Sequence, residues 1–201
     1  MTLANADERF RRLIRLAWLV VAVAACTDVR PSFPPAPTST VDATGIILVD
    51  VAEQIQPGPL PRRMANAFGD ALLLAEANGN DLGYPWVDPV SNELVLSAVT
   101  PRGRELVEAA GITVPHRIRD VAHGAAELQR IQHDVTFLGS RGAPDADLIF
   151  MTIPDYRDNR ALIVVSAMSR PLLDYLAEHY PVGAIAVQVD PEGVGAGPAS
   201  P

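Results

Sequence analysis

The chain has 201 residues and only one cysteine, Cys26. A single cysteine has no partner for a disulfide within the chain, and its place in an N-terminal leader gives it no fixed histidine as a catalytic base. Basic residues are also few, since 16 Lys and Arg against 24 Asp and Glu give a formal net charge of -8. A negative surface repels phosphate backbones, so we expect no nucleic-acid partner.

The sequence also has no motif typical of catalysis or of metal binding. The serine in Gly139–Gly142 (GSRG) does not have the G-x-S-x-G spacing of a hydrolase nucleophile. Asp145 and Asp147 have too few neighbouring oxygen ligands for a calcium loop, and no glycine-rich loop lies between a strand and a helix. The histidines are scattered, without the i, i+4 pairing of a helical zinc site: His116, His123, His133 and His179. We therefore expect no enzyme activity, no metal and no cofactor.

The first sixteen residues are rich in arginine, and an uncharged apolar run, Leu16–Ala25, follows them. A basic leader, a run of about ten apolar residues and small residues at its end are typical of a secretory signal. We therefore interpret residues 1–25 as a signal peptide, since the run is shorter than the roughly 20 residues of a membrane-spanning helix. Arg11 and Arg12 leave the export route, general or twin-arginine, open.

The cysteine lies at the end of this run, in Val23-Ala24-Ala25-Cys26. An aliphatic residue, two small residues and a cysteine resemble the bacterial lipobox, whose thiol accepts diacylglycerol. We predict cleavage between Ala25 and Cys26 and lipid attachment at Cys26, which anchors the protein to the membrane on the extracytoplasmic side of the cell envelope. The Pro-, Ser- and Thr-rich segment 26–45 is the predicted tether.

Beyond the tether, hydrophobic periodicity and turn residues predict a regular order of elements. With 48% hydrophobic and 20% charged residues, the chain can bury a core. The predicted strands are Ile46–Val51, Tyr84–Val87, Glu93–Val99, Ile112–Ile118, Leu148–Ile153, Leu162–Ala167 and Ala184–Val189. The predicted helices are Pro61–Asn78, Arg102–Ala110, Ala122–Leu138 and Arg170–His179. Thr100 and Ser169, whose hydroxyl groups lie just before the second and the fourth of these helices, are the predicted N-caps.

The order helix, hairpin, helix, strand occurs twice, which indicates an internal duplication. Matching segments, NELVLSAVTP and NRALIVVSAMSRP, begin at Asn92 and Asn159, 67 residues apart. We predict an α+β fold of two small repeated lobes, each an antiparallel three-stranded sheet covered by helices. The first lobe spans residues 46–121 with Trp86 in its core, the second spans 122–190, and a disordered tail follows at 191–201.

Two longer stretches are typical of a known family. They are YPWVDPVSNELVLSAVTPRGRELVEAAG, from Tyr84, and DYRDNRALIVVSAMSRPLLDYLAEHY, from Asp155. They resemble the first and second lobes of the pro-regions of secreted chymotrypsin-like bacterial proteases, the alpha-lytic protease and streptogrisin type. The resemblance extends over residues 60–190. It implies a non-catalytic protein that inhibits an exported serine protease or assists its folding.

In that family the second lobe extends a sheet with a hairpin of the protease, and such strand addition uses an exposed edge. The resemblance therefore assigns partner binding to the final strand and to the tail after Asp190. The strand residues are Ala184, Ile185, Ala186, Val187, Gln188 and Val189.

Two features depart from the family: a lipid anchor is not typical of a transient pro-region, and from the end at Pro201 we expect no protease domain behind the lobes. Three interpretations stay open. The protein is an anchored inhibitor or folding helper of an exported protease, an envelope structural or recognition lipoprotein without a protease partner, or an enzyme. An accessible final strand favours the first of these.

Overall fold

We describe the fold from a computed structural model, in which residues 39–49 and 59–191 are described. The chain divides into two units, Met1–Pro34 and Pro35–Pro201, and every described residue belongs to the second. The predicted signal peptide, the lipobox with Cys26, most of the tether and the tail after Pro191 lie outside the described residues. Among the helices that are described, none is long and apolar enough to cross a membrane.

The first sheet has three strands and is covered on one face by two helices. β3 (Leu82–Asp88) and β4 (Glu93–Ala98) form an antiparallel hairpin, and β5 (His116–Asp120) pairs parallel to β4. Helices α1 (Arg62–Ala77) and α2 (Pro101–Ala109) pack against the sheet. Their shared core consists of Met64, Ala71, Ala75, Leu82, Val87, Leu94, Leu96 and Val107.

The second sheet has five strands and buries the larger core. Its elements are β1 (Ser39–Val41), β2 (Ile47–Val49), α3 (Ala125–Thr136), β6 (Ile149–Asp155), β7 (Arg160–Val165), α4 (Arg170–His179) and β8 (Ile185–Val189). The strand order is β1-β2-β8-β7-β6, where β2-β8 and β8-β7 are parallel and the two outer pairs are antiparallel. Ile131 of α3 and Leu176 of α4 are fully buried against Ile163 and Val187 of the sheet.

Both predicted N-caps are confirmed. The hydroxyl oxygens of Thr100 and Ser169 each accept a hydrogen bond from the amide N–H three residues later, at 3.1 and 3.2 Å. Each hydroxyl also donates to an aspartate in the loop before a hairpin: Thr100 to Asp81 at 2.6 Å, and Ser169 to Asp145. The cap residues therefore start helices α2 and α4 and also fix their position relative to the preceding loops.

The α+β class is confirmed, but the prediction of two antiparallel three-stranded sheets is wrong. A helix connects β4 to β5 and β7 to β8, and a crossover of this kind returns the chain to its starting end, so the third strand is parallel to the second. The second sheet also gains β1 and β2. β1 lies inside the predicted tether, and β2, which we assigned to the first lobe from residue 46, pairs with β8 instead.

Candidate functional site

The predicted partner-binding strand, Ala184–Val189, lies in the interior of the second sheet. β7 pairs with one edge of β8 along its whole length, and β2 pairs with the other edge at Ala186, Val187 and Gln188. Five of the six residues are buried, with Ala186 at 0% and Val187 at 1% exposure. The expectation that this strand has an exposed edge is therefore wrong, because the hairpin β1–β2 occupies that edge.

The turn of this hairpin is organised by one carboxylate, that of Asp42. Its Oδ1 accepts hydrogen bonds from the backbone N–H groups of Thr44 at 2.8 Å and Ile46 at 3.1 Å, and from the Thr44 hydroxyl. Its Oδ2 lies 3.5 Å from the guanidinium of Arg170 at the start of α4. Burial acts to raise the pKa of Asp42, but these hydrogen bonds and the Arg170 charge outweigh it and hold the pKa below its ordinary value.

Only one strand of the hairpin is held by apolar burial. Ile46, just before β2, is 5% exposed in the core beneath α3 and α4, and Val49 is 5% exposed on the opposite face beside Leu162 and Val164. By contrast all three side chains of β1 are exposed, and that of Val41 is 70% exposed. The hairpin is thus attached to the sheet through β2.

The opposite edge of the second sheet, β6, is poorly suited to strand addition. The N–H of Ala161 donates to the carbonyl oxygen of Ala184, just before β8, so its partner in β6, Pro154, lies at a position whose backbone faces the open edge. Proline has no N–H to offer there, and an irregularity between Ile149 and Met151 interrupts the strand further. Proline and bulges are devices that protect an edge from pairing.

The turn between β6 and β7 docks on the first sheet, and Arg119 of β5 makes most of this contact. Its guanidinium donates to the backbone carbonyl oxygens of Tyr156 at 2.8 Å and of Arg157, and its Nε donates to the Ser97 hydroxyl at 3.1 Å. The guanidinium carbon lies 6.0 Å from the ring centre of Trp86. Burial lowers the pKa of Arg119 from its usual value.

Asn159 of the same turn fits against a glycine of the first sheet. Its Nδ2 donates to the His123 carbonyl at 2.8 Å, and its Oδ1 would lie 2.5 Å from a Cβ at Gly83. A side chain at Gly83 would therefore separate the two surfaces. Next to this contact, the rings of Tyr84 and Tyr156 lie 5.1 Å apart, and burial raises the pKa of both hydroxyls.

Trp86 is half-buried below Arg119 rather than part of the core under α1 and α2, so its predicted role as the first core's anchor is wrong. The strand β3 shifts register between Gly83 and Trp86, and this irregularity changes which residues face the helices. Sequence alternation alone does not reveal such a shift.

Three side chains of residue types that often serve in catalysis have structural partners instead. Ser140 lies in a short 3-10 turn and donates to the Phe137 carbonyl at 2.8 Å. His123 lies 3.1 Å from Glu127, and Asp145 accepts from Ser169. In residues 39–49 and 59–191, no group of three or more His, Cys, Asp or Glu side chains is placed to hold a metal ion.

An open groove lies between α1 and the loop that joins α2 to β5. It has a volume of about 620 Å³, and its walls include Arg63, Asp70 and Leu74 of α1 and Ile112 and Val114 of the loop. The wall combines charged and apolar groups, and its polar atoms do not converge on one point. The groove therefore indicates no particular class of ligand. Comparison of the chain with family models, curated proteins and solved structures finds no match.

Proposed function

We propose that this protein is an envelope lipoprotein, anchored through Cys26, whose folded part is a non-catalytic protein-binding domain. Its partner is an exported serine protease, which it inhibits or helps to fold. The leader and the Val23–Cys26 lipobox support the anchor. The resemblance of residues 60–190 to protease pro-regions supports the choice of partner.

The observation that carries this proposal is the pairing of β2 with β8. Residues 47–49 and 186–188 are distant in sequence, yet they form a parallel ladder, Ile47 with Ala186 through to Val49 with Gln188. The β8 edge of the strands β6–β8 is therefore paired with a two-stranded hairpin that lies far away in the sequence. A hairpin of another protein can make the same backbone hydrogen bonds, and this is how strand addition gives affinity.

We further infer that the domain arose by duplication of a unit with the order helix, hairpin, helix, strand. Both hairpin turns have an aspartate followed four residues later by an asparagine: Asp88 with Asn92, and Asp155 with Asn159. Both asparagines have a left-handed backbone, with φ of 54° and 53°. The N-cap hydroxyls of α2 and α4 bind aspartates in corresponding loops, which also supports the duplication.

A second candidate is an envelope recognition or structural lipoprotein without a protease partner. The burial of Ile46 and Val49 favours it, because a permanently attached hairpin closes the β8 edge to every partner. In that case another surface of the domain has the binding role.

The experiment that separates the two candidates is a titration of the mature chain into an alpha-lytic-type protease, with peptide hydrolysis as the readout. Binding is measured in parallel with the same protease after replacement of its catalytic serine, so that cleavage cannot imitate inhibition. A subtilisin-type protease is the control. Saturable inhibition and binding of the first enzyme alone support the proposed function. A folded sample that binds none of several chymotrypsin-like proteases contradicts it and favours the second candidate.

A further inference from the structure

The hairpin β1–β2 differs from the rest of the second sheet in how it is attached. Its inner strand pairs with three residues of β8, whereas β7 pairs with five, from Ile185 to Val189. All three side chains of the outer strand are exposed, and the turn is fixed by Asp42, whose partner Arg170 is itself 57% exposed. Short strand pairing and solvent-exposed ion pairs are typical of segments that open before the whole domain unfolds.

The position of the hairpin in the chain also allows it to leave. Within the described residues, β1 precedes β2 in the chain and the elements of the first sheet follow it, so β2 is not directly connected to β6, β7 or β8. The ladders that join β6, β7 and β8 to one another contain no residue of β2. The hairpin β1–β2 can therefore leave the second sheet without the removal of any of the strands β3–β8 from its own sheet.

Removal of the hairpin would expose a specific surface. The β8 edge would offer its backbone, and the small apolar cluster of Leu162, Val164 and Ala186 would lose Val49 as its neighbour. On the other face, the main core would lose Ile46. An incoming strand must therefore supply aliphatic side chains to both faces of the sheet, as Ile46 to Val49 do now.

A partner that instead extends the sheet from outside would meet β1. That strand has three residues, and Val41 is its only large apolar side chain. Pairing there would bury little apolar surface and give few hydrogen bonds. The edge beneath the hairpin is the better binding site.

We propose that β1–β2 is an intramolecular occupant of the partner-binding edge, and that it is displaced by a partner hairpin with consecutive aliphatic residues in its inner strand. This inference rests on the proposed function. In the free protein the hairpin covers this edge, and the apparent affinity equals the intrinsic affinity multiplied by the fraction of time that the edge is open.

The test uses the full mature chain and two matched variants. Asp42→Ala removes the acceptor that holds the hairpin turn, while Asp174→Ala removes the other carboxylate beside Arg170, 2.9 Å away, and leaves the hairpin unchanged. Hydrogen exchange of the free proteins is followed for peptides that cover residues 39–49 and 160–165. We expect the hairpin peptide to exchange before β7, and about tenfold faster in Asp42→Ala alone.

The same proteins are then mixed with the serine-replaced alpha-lytic-type protease. The expected result is faster exchange of residues 39–49 in the complex, and an apparent affinity up to about tenfold higher for Asp42→Ala than for Asp174→Ala. A complex in which residues 39–49 stay protected overturns the inference and leaves the proposed function standing. Equal exchange of the hairpin and β7 in the free protein overturns the inference as well. If neither the parent chain nor Asp42→Ala binds the protease, the proposed function fails and the inference fails with it.

Discussion

Replacing Arg119 by methionine tests whether the contact between the two sheets depends on one side chain. Methionine has a similar length and retains apolar contact with Trp86, but it donates no hydrogen bonds. The half-buried carbonyl oxygens of Tyr156 and Arg157 then lose the hydrogen-bond donor that Arg119 supplies. The buried Ser97 hydroxyl loses the same donor.

The magnitude follows from these three acceptors. A hydrogen bond contributes about 1 kcal/mol net to folding, and one made by a charged donor contributes more. The loss of the cation–π attraction between the Arg119 guanidinium and the Trp86 ring is offset by the removal of a charge from a half-buried site. We therefore expect Arg119→Met to lower the free energy of unfolding by about 3 kcal/mol.

The matched control is Arg117→Met, two residues earlier on the same face of β5. The Arg117 side chain is 47% exposed, and its ion pairs with Asp88 and Glu93 measure 3.4 and 3.6 Å. Exposed pairs of this kind contribute at most about 1 kcal/mol.

Urea unfolding of both variants, followed by tryptophan fluorescence and by far-ultraviolet circular dichroism, measures the two losses. Since the two sheets have separate cores, we also expect that in Arg119→Met the two sheets unfold at different urea concentrations, so that two transitions are seen. A loss no greater than that of Arg117→Met would refute the assignment of Arg119 as the main connection.

Three further predictions concern other parts of the chain. Gly103→Ala would place a Cβ 2.0 Å from the Asp81 carbonyl oxygen, so urea unfolding should show a free energy of unfolding lower by about 2–3 kcal/mol. At Gly69 a Cβ would have no atom within 4 Å, so Gly69→Ala, in the middle of α1, should raise the free energy of unfolding by about 0.5–1 kcal/mol. Because the pKa of Asp42 is lowered, its contribution to the stability of the hairpin is complete above the ordinary carboxyl pKa of about 3.9 and is lost as the pH falls through the lowered value. The amide NMR signals of residues 39–49 should therefore shift below a pH of about 3.9, and Asp42→Asn should abolish this pH dependence. Cys26→Ala should abolish metabolic labelling with a fatty acid; labelling that persists would contradict lipid attachment at this residue.

The features that the sequence predicted well are those that short-range chemistry determines. Thr100 and Ser169 are hydroxyl residues that precede a helix, and their side chains need only reach an amide three residues away. The hairpin turns were placed correctly for the same reason, because the Asp88 carboxylate binds the nearby amides of Val90 and Ser91. Such interactions are complete within one turn of chain.

The features that were missed depend on contacts between distant residues. Ser39–Val41 is short and polar, and only its pairing with β2 makes it a strand, so its composition resembles the tether around it. Arg119 directly follows a predicted strand, and an arginine there is ordinary until its partners, the carbonyls of Tyr156 and Arg157, are known. Backbone acceptors have no sequence signal.

The placement of the final strand shows why a correctly predicted element can still be given the wrong accessibility. β8 was predicted almost to the residue, but its accessibility is decided by Ile47–Val49, about 140 residues earlier in the chain. The same geometry then changes the functional question. Under the proposed displacement, a partner strand binds β8 only if its pairing is more favourable than that of the resident hairpin. The affinity then depends on the stability of the Asp42 turn as well as on contacts with the partner. A mutation in that turn should change binding without touching the binding edge.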